Sequence, residues 1–261
     1  MKKAIFFLAM LMCAPIYGQD IKSVVDKINA DKAKIKSLTA DVEIIIRRRA
    51  IVYTLNGKLY REGDKNLRLI NHMIINNKFM SDIGSNDSYF WFYARRVNLS
   101  NMFYANYSEI NKTNLKDSLN PLWLIESMNI LKIDTSNSTF QKQGDKLVIF
   151  QVKTSTRNNK MIKAIVIDPI KSVIVASYLY DGNKRLVTSA DITSFYTTNI
   201  GLLIPKVIEA KWRDEDVSMT YKFSNFQFNV EIDPKTFKMP ELGINKVNLG
   251  NTRKSYQGIN D

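Results

Sequence analysis

The spacing of apolar residues changes once, near residue 36, from a helical period to a strand period. Between residues 20 and 36 the apolar positions recur as on one face of a helix. They are Ile21, Val24, Val25, Ile28 and Ile35. In the following stretch, SLTADVEIII, apolar and polar residues alternate, which predicts a half-buried strand. The sequence thus predicts one amphipathic helix that leads directly into a sheet.

Beyond residue 46 the pattern predicts a long meander of strands separated by turn residues. The pair Asn56-Gly57 in IVYTLNGKLYRE is a strong signal for a hairpin turn. Further strands are predicted at Asn66–Ile75, Ser88–Arg95, Val97–Asn106, Lys146–Lys153, Met161–Ile167, Ser172–Tyr180, Arg185–Phe195, Leu203–Trp212 and Val217–Phe228. Gly144-Asp145 and Asp181-Gly182 are typical of the turns between strands. The total is about eleven strands, mostly antiparallel, in one domain.

A second helix is predicted in the middle of the meander, in LNPLWLIESMNILKID. Asn120 is a favourable N-cap, and Pro121 fits the first helical position. The residues that follow are mostly apolar, so this helix is not expected on the surface. We expect it to pack against the sheet.

Five consecutive aromatic residues in SYFWFYARR give one predicted strand two apolar faces. Because side chains alternate along a strand, Tyr89, Trp91 and Tyr93 point one way, and Phe90 and Phe92 point the other. The stretches LVIF and VIVASYLY are also apolar on both sides, whereas VSMTYKFS has one polar face. A sheet of this kind, with only two helices to cover it, should curl around them.

The predicted fold is therefore α+β and mainly β, with a strongly curved antiparallel half-barrel of strands over a few helices. Two interpretations of the enclosed face remain open. Aromatic side chains either fill it as an ordinary core, or leave a hollow that accepts acyl chains. Trp91 and Phe92 point in opposite directions, so only one of them can line such a hollow.

The first residues, MKKAIFFLAMLMCAPIYGQD, have the layout of a secretory signal peptide. Lys2 and Lys3 precede an uncharged run that is too short for a permanent membrane anchor, and Gly18 is a suitable small residue before the cut. We expect cleavage after Gly18 and export to the periplasm. The predicted divisions are a signal peptide at 1–18, a folded domain at 19–240 and a polar tail at 241–261.

Cys13 is the only cysteine, and Met12 stands where a lipidated cysteine needs a small residue before it. Lipidation is therefore not expected. Because cleavage after Gly18 would remove Cys13, the mature chain would have no disulfide and no cysteine ligand or nucleophile.

The charge balance favours anionic partners. The chain has 38 basic and 25 acidic residues, a formal net charge of +13 at pH 7. Lipid head groups and envelope polymers suit this charge; nucleic acid would too, but export argues against it. The densest basic run, Arg47, Arg48 and Arg49, fits either a solvated strand end or a contact with an anionic membrane or partner.

The sequence offers no recognisable catalytic or metal-binding motif. His72 is the only histidine, and its place in a predicted strand favours a structural role. Asp214, Glu215 and Asp216 lie between two strands and fit a solvated turn. We find no zinc-binding histidine pair, phosphate loop, nucleophile elbow or identifiable carboxylate pair. Neither catalysis nor a metal or cofactor is expected.

Several stretches together resemble the periplasmic carriers and acceptors of outer-membrane lipoproteins, LolA and LolB, and their lipoprotein-sorting relatives. They are SLTADVEI, YFWFY, NPLWLIESMNI, YDGNKRLV, GLLIPKVIEAKW and IDPKTFKMP. These stretches span nearly the whole mature chain. The resemblance implies a curved antiparallel half-barrel, closed by helices, whose hydrophobic interior receives lipoprotein acyl chains.

On this resemblance the protein is expected to be a monomeric, non-enzymatic carrier of lipoprotein acyl chains or other lipids. Its partners would be an inner-membrane release complex or an outer-membrane acceptor. The candidate cavity residues are Phe90, Trp91, Phe92, Trp123, Leu124 and Met128. The alternative is an envelope-stress regulator of the same fold, which binds lipoprotein or lipopolysaccharide and restrains a membrane partner.

Overall fold

The computed structural model describes residues 18–74, 78–95, 101–112, 132–154 and 160–251. These residues form one α-helix, α1 (Gly18–Ala33), and fourteen strands. The strands are β1 (Ser37–Arg48), β2 (Ile51–Glu62), β3 (Asn66–Met73), β4 (Phe79–Ser85), β5 (Tyr89–Ala94), β6 (Asn101–Asn106), β7 (Ser138–Gln143), β8 (Lys146–Thr154), β9 (Lys160–Asp168), β10 (Val173–Tyr180), β11 (Leu186–Thr197), β12 (Leu203–Trp212), β13 (Val217–Phe228) and β14 (Asn245–Asn248). Short 3-10 turns lie at Tyr107–Lys112, Pro234–Phe237 and Leu249–Asn251.

All fourteen strands belong to one sheet, in the order β14-β6-β5-β4-β3-β2-β1-β13-β12-β11-β10-β9-β8-β7. Neighbouring strands are antiparallel, except that β14 runs parallel to β6. Among the described strands, β14 and β7 end the order and do not pair with each other, so this sheet is open. The prediction of a mainly β domain with one large, strongly curved antiparallel sheet is confirmed.

The predicted count of about eleven strands was too low, because three strands of the structure have weak sequence signals. β4 contains Asp82 and Gly84, residue types that are depleted in strands. β7 and β14 are short and mostly polar, and they form the two edges of the sheet. An edge strand has one strand neighbour and often carries polar residues, so it shows little hydrophobic alternation.

The predicted hairpin turn at Asn56-Gly57 is wrong. Both residues lie inside β2, and the turn between β1 and β2 falls at Arg49 and Ala50. Gly57 instead permits close packing within the sheet, because a Cβ atom there would lie 2.2 Å from the carbonyl oxygen of Ile70. Gly57 thus allows close contact between neighbouring strands and does not form a turn.

The hydrophobic core lies between α1 and one face of the sheet, which we call the inner face. From α1, Ile21, Val25 and Ile28 are buried in it. The strands contribute alternate residues, which include Leu38, Ala40, Val42, Ile44, Leu59, Leu67, Leu69, Ile149, Ile165, Ile167, Ile208, Tyr221 and Phe223. Burial of a large apolar side chain contributes about 1.5–3 kcal/mol, so this face is the main source of stability.

Two hydrogen bonds hold α1 to the segment that leads into β7. The side chain of Asn29 donates to the carbonyl oxygen of Ile133 at 2.9 Å and accepts from its backbone N–H at 2.8 Å. Ile133 is itself buried in the core. The helix is therefore tied to this segment at Asn29, and its C-terminal turn lies beside the ends of several strands.

Two regions of the sequence prediction lie outside the described residues. They are the second helix, with Trp123, Leu124 and Met128, and residues 1–17 of the predicted signal peptide. Residues 241–251, which the sequence assigns to a polar tail, carry β14 and pair with β6. In the described part of the chain, no helix combines the length and apolar character that a membrane crossing requires.

Candidate functional site

A cavity of about 330 Å³ opens between the C-terminal half of α1 and the inner face of the sheet. Its wall comes from the end of α1, the start of β1, the end of β2, and the turns and strand ends around β10, β11 and β12. The lining residues are Lys27, Ile28, Asp31, Lys32, Lys34, Ile35, Leu38, Arg61, Lys171, Ser172, Val173, Ile174, Ile192, Phe195, Ile200, Gly201, Leu202, Leu203, Ile204 and Pro205.

The deeper wall of the cavity is apolar. Ile28, Leu38, Ile192 and Ile204 are all buried members of the hydrophobic core. Phe195 is half-buried and packs against the same core. The cavity is therefore an unfilled part of the inner face, and its surface suits an aliphatic chain.

The rim of the cavity is basic. Lys27, Lys32, Lys34 and Lys171 line it, and Asp31 is the only carboxylate among the lining residues. Asp31 accepts a hydrogen bond from the Nζ of Lys34 at 2.7 Å, so its charge is largely matched. The rim leaves an excess of positive charge at the entrance, which favours an anionic group there.

Two turns shape the entrance. In the turn before β10, the carboxylate of Asp168 accepts hydrogen bonds from the backbone N–H groups of Ile170 and Lys171 at 3.1 and 3.0 Å. In the turn before β12, the hydroxyl of Thr198 accepts from the N–H of Leu202 at 2.9 Å, which directs the chain back to the cavity wall. Ile200, in the second turn, lines the cavity and is 60% exposed, whereas Ile170, in the first turn, is 88% exposed and is not a lining residue.

Lys32 is the rim residue whose protonation the fold affects most. Burial, followed by the nearby positive charges of Lys163 and Arg61, lowers the pKa of its ammonium group from 10.5 to about 7, while Asp64 opposes the change. The charged form of Lys32 is thus disfavoured, because the site is buried and already holds other cations. An anion bound at the rim would relieve that repulsion.

The structure separates the predicted aromatic residues onto two faces. Phe90 and Phe92 share the inner face with Leu67 and Leu69, and Phe92 stacks on Phe103 with ring centroids 5.2 Å apart. Neither Phe90 nor Phe92 lines the cavity beside α1. They form a second apolar group, with Ala105 and Leu249, further along the same face.

Trp91 lies on the opposite face, under the C-terminal segment. Its indole N–H donates to Asp82 at 2.8 Å, and Asp82 is paired with Arg68 at 2.6 Å. Met239 and Ile244 pack against the group that contains Trp91 and Tyr93. A Cβ atom at Gly84 would lie 2.1 Å from the Trp91 ring, so the glycine makes room for the tryptophan.

Arg47, Arg48 and Arg49 are exposed at the tip of the β1–β2 hairpin. After Ala50, the apolar residues Ile51, Val52 and Tyr53 are 53%, 58% and 46% exposed. The tip therefore combines three cations with three neighbouring apolar side chains, away from the cavity, which lies at the other end of these strands. The apolar half of this tip is not apparent from the sequence, because IVY reads as an ordinary strand start.

The remaining polar candidates have structural partners. His72 packs edge-to-face on Phe79 with ring centroids 5.7 Å apart. Asp214, at the start of the acidic turn, accepts two hydrogen bonds from Arg185 at 3.0 and 3.2 Å. Among the described residues, no group of three histidine, cysteine, aspartate or glutamate side chains is placed to hold a metal ion.

Sequence reasoning missed the residues that line the cavity. Arg61 reads as the polar end of a strand, and Ile204 as one apolar position among many. The stretch GLLIPKVI carried a partial signal, because it places several large apolar residues next to a glycine turn. It contributes five residues of the wall, 201–205, and the turn residue Ile200, which also lines the cavity, directly precedes it.

These features define a class of protein: a single large curved sheet with an apolar cavity under its N-terminal helix. Similar folds occur in an outer membrane lipoprotein-sorting protein domain from Vibrio parahaemolyticus (10% identity, TM-score 0.61), in a DUF1329 family protein from Desulfovibrio piger (13%, 0.59) and in a LolA superfamily protein from Nitrosomonas europaea (11%, 0.56). Each comparison covers 84% of this chain and 97% of the other.

The chain has the LolA-like fold, as the sequence resemblance predicted. Neither a protein-family model nor a sequence among the curated proteins matches it. At 10–13% identity, the similarity concerns the fold. The ligand and partners of this chain must therefore be argued from its own residues.

Proposed function

We propose that this protein is a periplasmic carrier that takes an acyl chain of a lipid or lipoprotein into the cavity beside α1. The observation that carries the proposal is that one open cavity joins an apolar wall, with Ile28, Leu38 and Ile204, to a basic rim. Of the proteins with this fold, the one from Vibrio parahaemolyticus is named for outer-membrane lipoprotein sorting. Sorting to the outer membrane is the role we propose here.

An apolar cavity suits transfer because it binds an acyl chain without trapping it. Each buried methylene contributes about 0.8 kcal/mol, whether it leaves water for a protein cavity or for a membrane. The exchange between carrier and bilayer is therefore nearly balanced. A carrier of this kind loads from an inner-membrane complex and releases to an outer-membrane acceptor according to which side offers the better site.

A cavity-filling variant tests the proposal. Leu202 is buried in the wall, so Leu202→Trp should occupy the space of the chain. We expect the affinity for a fluorescent acyl probe to fall roughly tenfold or more, since exclusion of two methylenes costs about 1.6 kcal/mol. Ile170→Trp, on a neighbouring turn and 88% exposed, is the matched control and should bind the probe normally.

Two results would count against the carrier. Equal probe affinity in the wild-type protein, Leu202→Trp and Ile170→Trp would place the ligand elsewhere, and no probe binding by the wild-type protein would remove the proposal. A stable complex with a membrane protein that lipopolysaccharide dissociates would favour the regulator instead. Circular dichroism of each variant shows whether the sheet is intact.

A further inference from the structure

Arg61 is a buried cation with an unused hydrogen-bond donor at the cavity. The residue is 3% exposed and lies at the end of β2. One terminal nitrogen, Nη1, donates to the carbonyl oxygen of Ile35 at 3.1 Å, while Nη2 is 3.7 Å from Asp64. The Nε–H has no partner among the described residues. Leaving a buried donor unpaired is costly, and more so on a charged group.

The position of Arg61 connects this donor to the apolar wall. Arg61 faces Leu38 across the β1–β2 register, and both residues line the cavity together with Ile35. A ligand in the cavity therefore lies beside Arg61 at one end and has aliphatic side chains along its length. The Nε atom is covered by the surrounding protein, so its contact with a ligand requires the guanidinium group to turn slightly toward the cavity. The Nε and Nη2 edge of a guanidinium matches two oxygens of a carboxylate or phosphate in a bidentate contact.

The charges around Arg61 point to the same ligand chemistry. Asp64 is its nearby carboxylate, but it also pairs with Lys132 at 3.0 Å and is 47% exposed. Lys32 adds a second basic group to the cavity wall, and burial, followed by repulsion from Lys163 and then from Arg61, lowers the pKa of its ammonium group. A bound anion would offset both the burial of Arg61 and this repulsion.

The cavity size limits the apolar part of the ligand. At about 330 Å³ it is at the lower end of the range of roughly 300–1,000 Å³ for ligand pockets. Such a volume suits one aliphatic chain rather than the two or three chains of larger lipids. The anionic contact and the single chain together describe a fatty acid or a single-chain phospholipid.

We infer that the ligand of this cavity is a single-chain anionic amphiphile, whose oxygens bind the Nε edge of Arg61 and whose chain lies along Ile35, Leu38 and the apolar wall. This inference rests on the proposed binding of an acyl chain and deepens it by selecting, from lipid or lipoprotein, a lipid with one chain. The proposed function asks only that an acyl chain binds. The inference adds that an anionic head group is recognised.

Calorimetric titration with three ligands of equal chain length tests this inference. Hexadecanoate supplies a carboxylate, hexadecanoyl lysophosphatidate supplies a phosphate, and monohexadecanoylglycerol is the neutral control, each below its micelle concentration. We expect the wild-type protein to bind an anionic ligand about 10- to 100-fold more tightly than the neutral one, as a charge-assisted hydrogen bond allows. The stronger of the two anionic ligands identifies the head group.

Variants then assign the preference to Arg61. Arg61→Gln should bind the neutral ligand as before and lose the anionic preference, whereas Arg61→Lys should keep only part of it, because lysine lacks the two-nitrogen edge. Lys22→Gln is the control on α1, since Lys22 is exposed and pairs with Asp26 at 2.7 Å. It should leave the preference unchanged.

The outcomes separate this inference from the carrier proposal. Equal wild-type affinity for anionic and neutral ligands would overturn the inference while acyl binding stands. An anionic preference that persists in Arg61→Gln would overturn it as well. Absence of binding by all three ligands would overturn the carrier proposal. If Arg61→Gln does not fold, the wild-type comparison and Arg61→Lys still decide the question.

Discussion

At the scale of single residues, Lys32 couples the cavity to pH. Its pKa is about 7 in the folded protein and 10.5 as its ordinary value, because burial and the cations Lys163 and Arg61 oppose its charge more than Asp64 supports it. Below pH 7 Lys32 is protonated in both the folded and the unfolded state. The folded state is then destabilised by a charged ammonium group in a buried position near other cations. Between the two pKa values the unfolded state binds more protons, so stability rises with pH.

We therefore predict that the free energy of unfolding of the wild-type protein rises between about pH 7 and about pH 10 relative to Lys32→Met. Urea unfolding across this range measures the difference. Lys22→Met, an exposed position on the same helix, should follow the wild-type protein. The same pH dependence in the wild-type protein and Lys32→Met would show that the fold does not hold Lys32 as described.

Trp91 provides a second prediction at this scale. Its indole N–H donates to the fully buried Asp82, on the face opposite the cavity. Trp91→Phe should lower the free energy of unfolding by about 1–3 kcal/mol, because it leaves a buried charged acceptor without this donor. Binding of an acyl probe should not change. Loss of probe affinity with unchanged unfolding would instead place Trp91 in the ligand site.

The residues of the candidate site were only partly predictable from the sequence. Alternation was enough to place Trp91 and Phe92 on opposite faces, since strand geometry fixes that. It could not show which face is covered by the C-terminal segment, because the contacts of Trp91 with Met239 and Ile244 join positions far apart in the chain. The unpaired Nε of Arg61 likewise depends on where β2 meets the end of α1.

At the scale of elements, the β1–β2 hairpin is the best candidate for membrane contact. Its tip presents Arg47, Arg48 and Arg49 beside the exposed Ile51 and its two apolar neighbours. Cations near an anionic lipid surface contribute about 1 kcal/mol each, and apolar side chains can enter the head-group region. The arrangement suits a surface contact of modest strength.

We predict that replacing Arg47, Arg48 and Arg49 with glutamine weakens binding to vesicles of phosphatidylcholine and phosphatidylglycerol by up to about 100-fold at low salt. Sedimentation with vesicles measures it. The control removes the same charge elsewhere, with glutamine at the exposed strand residues Lys58, Lys206 and Lys211. An equal loss in both triple variants would mean that net charge, rather than the hairpin tip, governs vesicle binding.

Strands with one solvent-exposed face were predicted well, whereas the strands at the edges of the sheet were predicted poorly. β13 was placed correctly because Tyr221 and Phe223 are buried while Lys222 and Ser224 are exposed. β7 and β14 were missed because polar edge strands lack this contrast. The Asn56-Gly57 pair led to a wrong prediction of a turn. A glycine that allows a neighbouring strand to approach closely cannot be distinguished in the sequence from a glycine in a hairpin turn.

At the scale of the whole molecule, the fold follows from the number of strands that have an apolar face to bury. The sequence predicts many strands with an apolar inner face and few helical residues to cover them. This combination favours one open, curved sheet, which the structure has. The cavity does not follow from the same argument. Its volume is the space that the side chains of α1 and β10–β12 leave unfilled between them. Because these elements are far apart in the sequence, a local pattern of residues does not predict that space.

The presence of lipid in the purified protein tests the central claim most directly. The full chain and Leu202→Trp are expressed with export intact, purified without detergent, and their organic extracts compared by mass spectrometry. We predict that an acyl-bearing species accompanies the wild-type protein in near-stoichiometric amount and is strongly depleted in Leu202→Trp. The carrier account is contradicted if the wild-type protein retains no more acyl material than the variant with the filled cavity.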